Sequence, residues 1–360
     1  MSVRTKGQVH VIGAGLLGTS IGLSLRKLDV DVSLEDSSPA VQSLAIDFGA
    51  GRKLDSSDDV SVVVVCVPPD VTAATIISAL DRFPNAVVTD VASVKAAILD
   101  ELLSSSADTS RYVGSHPMAG REKGGALSGR PDLFAGRPWV IAVEDKTNPE
   151  AVDVVEKLAL DLGATTLRLS SKDHDRAVAL ISHAPQVVSS LLASRLQDAD
   201  DYDLALAGQG VRDTTRIAAS DPKLWLQILS MNADELIPVL TAFQEDLAGV
   251  VTSLQNVAGT GSLAKIGSVL EKGNQGISRL PGKHGTRNTS YAQVVVMIDD
   301  KPGELARLLN EIGEAKVNIE DLKLDHATGA QVGLVDIYVL PAAEEKLIET
   351  LKVNGWRLAG

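Results

Sequence analysis

His116, in Gly-Ser-His-Pro-Met-Ala-Gly at residues 114–120, is the side chain best suited to chemistry in this sequence. An imidazole titrates near 6.5, so it can accept a proton during a reaction and return it afterwards. A histidine before a proline turn can also be purely structural; its company decides. Ser93 lies in Asp90-Val91-Ala92-Ser93-Val94-Lys95, where it either caps a following helix or offers its hydroxyl to His116. A second histidine, His183, falls in Ile181-Ser182-His183-Ala184-Pro185. Farther on, Arg212, Asp213 and Arg216 crowd a stretch of small residues. On a helix the two arginines share a face and Asp213 pairs with Arg216. That is either a surface ion pair worth under about 1 kcal/mol or a guanidinium fork for a substrate carboxylate, which Arg grips through two parallel bonds.

These side chains need a scaffold. Val9-His10-Val11-Ile12 reads as a strand, Gly13-Ala14-Gly15-Leu16-Leu17-Gly18 follows, and Ile21, Leu25 and Leu28 then recur at helical spacing. Strand, GxGxxG and helix in that order form a dinucleotide-binding signature. Gly13 permits the tight turn, Gly15 lets backbone approach a pyrophosphate, and Gly18 lets helix and strand pack closely. Leu16 and Leu17 open the helix whose N-terminus faces the phosphates. A strand over 31–35 ends at Asp36, at the distance where an acid hydrogen-bonds a ribose 2′-hydroxyl and favours NAD. Glu35 is the alternative acid, and Arg52 or Lys53 would instead suit a 2′-phosphate. Further strands are expected at 62–67, 86–89, 112–114, 139–143 and 165–169, alternating with helices in a doubly wound, Rossmann-like α/β sheet. Ligands of such sheets sit at the strands' carboxyl ends. Val67 and Pro68, the Ser93 segment and the His116 segment all fall there.

From Asp173 the pattern changes to long helices, with Ala177, Ile181, Ala184, Val188, Leu191 and Leu192 on one face. Pro185 should kink the first helix, removing the bond to the Ile181 carbonyl at a cost of about 3 kcal/mol. His183 beside the kink is either a satisfied core histidine or a ligand-facing one. Residues 271–290 hold four glycines and read as a linker. Its Lys272, Arg279, Lys283, His284 and Arg287 make either a plain connector or a basic strap over an anionic ligand's cleft. A small α+β module follows, expected as βαββαβ over 291–360.

A formal charge of −13 argues against nucleic acid or a membrane surface as partner. The single cysteine, Cys66, lies in an apolar run and reads as a core residue in a reducing compartment. It supports neither a disulfide framework nor a cysteine-based metal site, and no metal is expected. No apolar stretch near the ~20 residues of a membrane span stands out, and the first strand begins near Gln8. A cytoplasmic protein without signal peptide is therefore expected.

Taken in order behind the glycine-rich turn, DVASVK, GSHPMAGREKGG, ISHAP and GVRDTTRIAASDPKLW closely resemble the prephenate/arogenate dehydrogenase family of tyrosine biosynthesis. The resemblance spans residues 8–265. It implies a Rossmann domain over 1–170, an all-α substrate and dimerisation domain over 171–270, and NAD-dependent oxidative decarboxylation of prephenate, with arogenate as the alternative substrate. It makes His116 the catalytic base, Ser93 its hydroxyl partner, His183 a pocket residue and Arg216 the main carboxylate binder, supported by Arg212. Two positions depart from the family: Arg121 stands where Ser or Thr is frequent, adding charge to the pocket rim, and Gln186 stands where a second histidine is common. Asp299-Asp300-Lys301-Pro302-Gly303 and Val317-Asn318-Ile319 resemble an ACT domain, implying an amino-acid effector such as tyrosine held by Asp300, Pro302, Gly303, Asn318 and Ile319. A β-hydroxyacid dehydrogenase would need Lys172 or Lys223 as its catalytic lysine, and neither has the flanking glycines. A non-catalytic NAD or amino-acid sensor would need no base.

Overall fold

The computed structural model describes residues 3–120, 124–280, 291–326 and 332–359. Five strands, β1 (Gln8–Ile12), β2 (Val32–Glu35), β3 (Val60–Val65), β4 (Val87–Asp90) and β5 (Tyr112–Val113), form a parallel sheet in the order β2-β1-β3-β4-β5. Its strands are valine-rich because both faces are covered. In β3, Val62 and Val64 join one core with Ile21 and Leu25 of the helix Leu16–Arg26. Val63 and Val65 join another with Ile76 and Ile98, from the helices Pro69–Arg82 and Ala96–Ser104. Because β1 lies between β2 and β3, the winding direction reverses beside it, and the crevice at the carboxyl ends of β1 and β3 is where such sheets take ligands.

The expected single sheet through residue 169 is in fact two. Strands β6 (Ser115–Pro117), β7 (Pro138–Ala142) and β8 (Thr165–Leu169) form a separate sheet, and β6 runs antiparallel to β7 with His116 opposite Val140. Gly114 makes the corner. A Cβ there would meet the Tyr112 hydroxyl at 3.0 Å, and its carbonyl accepts from Ala142 N at 2.7 Å, which ties the turned chain to β7. His116 therefore rides on a strand rather than in the loop after one.

The chain divides into two compact units, residues 1–199 with 214–242 and residues 200–213 with 243–360. In the first, the helix Ser171–Val178 does not break at Pro185. A π-helical turn, Ala179–His183, carries it into the helix Ala184–Ser194. The wider turn puts Pro185 in the first turn of the next α segment, where no intrahelical donor is required. Contrary to expectation, the stretch 171–198 is long and apolar enough to cross a membrane by length and composition alone. It opens, however, on the fully buried His174 and Asp175, polar groups that hydrocarbon disfavours.

In the second unit the helix Ser262–Ser278 runs through residues 271–278 of the expected linker. Ile266, Val269, Leu270 and Ile277 continue its apolar period, which outweighs glycine costs of about 1 kcal/mol each. Residues 281–290, with Lys283, His284 and Arg287, lie outside the described residues, as does Arg121. The last four strands, β9 (Ala292–Asp299), β10 (Asp321–His326), β11 (Val332–Val339) and β12 (Arg357–Ala359), pair antiparallel in the order β10-β11-β9-β12. With the helices Glu304–Glu314 and Glu344–Val353 they complete βαββαβ around Val296, Ile337, Leu308 and Leu347.

Candidate active site

The site lies within the first compact unit. His116, partly exposed on β6, contacts His174 Nε2 through its Nδ1 at 2.8 Å. His174 Nδ1 in turn donates to Asp175 Oδ1 at 2.7 Å. The Asp175 carboxylate also accepts from the backbone N–H of Lys95 and of Ala96, at 2.8 Å each. Asp175 thus caps the helix Ala96–Ser104 from across the fold, a role open to Ser93 in the sequence. That helix begins three residues beyond Ser93, and the Ser93 side chain does not cap it. Among the described residues the partner of His116 is His174, not Ser93.

The segment 90–95 is anchored from below. Asp90 and Lys95, both essentially without exposure, form an ion pair, and Asp90 also accepts from Tyr112 Oη and Ala92 N at 2.8 Å. Burial and the neighbouring Asp90 push the Tyr112 phenol well up. Burial first, then the Lys95 charge and the positive forms open to His174 and His183, hold the His116 imidazole well below 6.5, so it is neutral and able to accept a proton. His183, on the π turn, accepts at Nδ1 from Asn232 Nδ2 at 3.0 Å, and the same amide donates to the Asp175 carbonyl at 2.9 Å. Burial lowers His183 to about 4. It is a satisfied, neutral histidine whose second nitrogen carries the hydrogen. Behind the network, Asp175 borders a cavity of about 490 Å³ with Asp100, Glu144, Asp234, Glu235 and Lys172. Its negative excess has the wrong sign for an anionic ligand.

The glycine-rich turn fits a dinucleotide. Gly13 sits at φ +100°, and a Cβ there would come within 2.3 Å of the Cys66 carbonyl oxygen. At Gly18 a Cβ would meet the Gly13 oxygen at 1.9 Å. Gly15, by contrast, faces open space, as a phosphate-approaching position must. Asp36 accepts from Ala14 N and Ser38 N, at 2.8 Å each, which fixes its carboxylate beside the turn with lone pairs to spare. Glu35 is instead forked by Arg82 at 2.6 and 2.9 Å. Arg52, the candidate for a 2′-phosphate, is committed to Asp31 and Asp58 at 2.6–3.0 Å. Val67 and Pro68 lie across the switch point, between β3 and the helix Pro69–Arg82.

Residues 21–168 match the nucleotide-binding domain of prephenate dehydrogenase and residues 170–266 match its dimerisation domain. A probable prephenate dehydrogenase of Streptomyces niveus, NovF, is 35% identical over 96% of this chain and 98% of its own. The chain belongs to the prephenate dehydrogenase family. Two solved structures are similar. One is the Aquifex aeolicus prephenate dehydrogenase in complex with hydroxyphenyl propionate and NAD+, with 25% identity and a TM-score of 0.65 over 75% of this chain and 98% of that one. The other is the Synechocystis arogenate dehydrogenase, with 26% identity and a TM-score of 0.60 over 74% and 99%. This dehydrogenase uses NAD and oxidises prephenate.

Its remaining predicted site residues are placed less closely. Arg216, itself exposed, opens the 3₁₀ turn Arg216–Ala218, which packs on the helix Ala184–Ser194, the element that follows His183 in the chain. Arg212 lies on the short helix Gln209–Thr215, in the other compact unit, where Asp213 accepts from Gln209 at 2.8 Å. Gln186 is buried, its amide 3.4 Å from Ser190 Oγ. In the C-terminal module Gly303, at φ +95°, caps the helix after the Asp300–Pro302 turn, and Asn318 Nδ2 donates to Glu320 at 2.7 Å. The register sets Asp299 opposite Val332 but Asp321 opposite Tyr338, so the two parts of the expected effector site sit at opposite ends of the sheet. Six strand residues separate them by about 20 Å. Within one chain they do not form one pocket. His174, Asp175, Lys95, Asp90 and Asn232 were missed by sequence reasoning; the adjacent His174-Asp175 pair at a helix start was the available signal.

Proposed function

We propose that His116 is the base of the reaction, its free ring nitrogen taking the proton of the prephenate ring hydroxyl. Bound NAD supplies the hydride acceptor. As hydride leaves the carbinol carbon, the O–H electron pair forms the carbonyl. The ring carboxylate then departs as carbon dioxide, its bonding pair enters the ring, and the new phenolate oxygen takes the proton back. Aromatisation drives the sequence, so the protein positions groups and lends one site for one proton. Arg216 binds a substrate carboxylate and His183 lines the pocket with its N–H, while Ser93 orients the ring hydroxyl. The observation that carries this reading is a partly exposed, neutral histidine on β6 in the same compact unit as the glycine-rich turn.

His116→Asn should lower kcat by about two to four orders of magnitude and leave NAD affinity nearly intact. Retention of more than about a tenth of the rate would place the base elsewhere. Arogenate is the second reading, since Gln186 replaces a charge-capable histidine; kcat/KM on both substrates separates them. Exposed Leu247, Leu254, Leu263, Leu270 and Ile277 on the long helices support a homodimer. The βαββαβ order supports an ACT-like module that binds tyrosine, and the composition supports a cytoplasmic enzyme without nucleic-acid or membrane partners.

A further inference from the structure

We propose that His174 and Asp175 are positioning residues that set the tautomer of His116, leaving Nε2 as the bare, proton-accepting nitrogen. The inference rests on His116 being the base. It follows from counting donors. Asp175 receives two backbone N–H groups, which can only donate, so its oxygens act as acceptors and His174 must present Nδ1–H to Oδ1. With its one ring hydrogen held at Nδ1 by Asp175, His174 has a lone pair at Nε2. The 2.8 Å contact to His116 requires one hydrogen between the two nitrogens, and only His116 Nδ1 can provide it. His116 Nε2 is left without a hydrogen.

The same line of atoms holds the borrowed proton. When the substrate O–H bond breaks and an N–H bond forms at His116 Nε2, the ring becomes a cation. Its Nδ1–H already points at the His174 lone pair, and Asp175 lies one ring beyond. Hydrogen bonds to ionised groups are about twice as strong as neutral ones, so the chain tightens as the charge appears. The groups facing His116 from other elements are His174, Lys95 and His183, whose positive forms disfavour a second cation at His116, and the Asp175 carboxylate at the end of the chain opposes them. The backbone bonds from Lys95 and Ala96 also fix the chain to the segment that carries Ser93.

Two variants and one spectrum test this. Asp175→Asn replaces one carboxylate oxygen by an NH₂ group; at the Oδ1 position, which serves both Lys95 N–H and His174, that group can only donate to His174 and leaves the remaining oxygen to Ala96 N–H. In that orientation both tautomers reverse, so His116 Nε2 becomes protonated. kcat should fall about 10²–10⁴-fold, as for other carboxylate-to-amide changes behind a histidine base, with the NAD dissociation constant within about twofold. His174→Phe removes the acceptor and should cost at least about 10²-fold in kcat, and His174→Gln, which keeps an acceptor, should recover part of it. Nitrogen-15 NMR of the histidine-labelled wild-type enzyme at pH 8, with His116 assigned through His116→Asn, should show Nδ1 protonated and Nε2 bare. The opposite tautomer overturns the proposal without any variant. So does a loss of kcat matched by an equal loss of NAD binding, or a kcat within threefold of wild type in both Asp175→Asn and His174→Phe. If His116→Asn is itself active, the base assignment fails instead.

Discussion

At the residue scale the site is built from buried polar groups whose costs are offset only while every partner is present. Lys95 and Asp90 illustrate this: both are sealed from water, and Asp90 also holds Tyr112 and Ala92. Removing one ion of a buried pair leaves the other uncompensated, at roughly 3–5 kcal/mol. Lys95→Met should therefore lower the urea unfolding free energy by about that amount, and adding Asp90→Asn should restore part of it. Stability equal to wild type in Lys95→Met would mean that the pair contributes nothing. The histidines set a pH dependence. His183 falls from 6.5 in the unfolded chain to about 4 when folded, and His116 moves in the same direction. Between those values the unfolded chain binds more protons, so stability is full above about 6.5 and is lost as pH falls toward 4. Thermal melts from pH 7.5 to 4.5 should show a declining Tm, with a shallower decline in His183→Asn. These residues were unevenly legible in the sequence. His116 and Gly13 announced themselves through local motifs, whereas Asp90, Lys95 and Asn232 act through partners that only the fold brings near.

At the element scale, local chemistry specified the strands and helix starts well, but not the partner of each strand. The valine run of β3 and the glycine turn after β1 encode a parallel, doubly covered sheet. Nothing in a short strand such as β6 states whether its neighbour is parallel or antiparallel, and Gly114 read as an ordinary loop residue. The π turn was hidden for a related reason: Pro185 signals that a hydrogen bond is missing, not how the backbone absorbs the loss. The helix through 271–278 was masked by its glycines. Where geometry is decisive, substitution should be too. Gly13→Ala places a methyl group 2.3 Å from the Cys66 carbonyl oxygen at a φ that L-residues rarely adopt. NAD affinity should drop at least about tenfold, with loss of thermal stability, in a fluorescence titration of the cofactor. An unchanged affinity would show that the turn is looser than its contacts imply.

At the scale of the whole molecule the chain carries, beyond the two domains matched to the family, a C-terminal module that holds none of the proposed catalytic residues. The Aquifex aeolicus structure is covered over 98% of its length by 75% of this chain, whereas NovF matches 96% of it, so the C-terminal module is an addition shared with NovF. An addition that carries none of the predicted catalytic residues invites a regulatory role. The module's own geometry restricts the form of that role. Asp300, Pro302 and Gly303 lie about 20 Å along the sheet from Asn318 and Ile319, so a small amino acid cannot touch both groups within one chain. A ligand using both must lie between two copies of the module, which makes its effect depend on assembly. Deleting residues 291–360 should leave prephenate oxidation measurable and abolish inhibition by millimolar tyrosine. In the intact enzyme, Gly303→Val and Asn318→Ala should each remove tyrosine sensitivity alone. Mixed dimers carrying one of each variant should regain half of the inter-copy sites, and with them part of the inhibition, because one interface then pairs a wild-type turn with a wild-type Asn318. Equal tyrosine responses in the full-length and truncated enzymes would remove the module from regulation altogether.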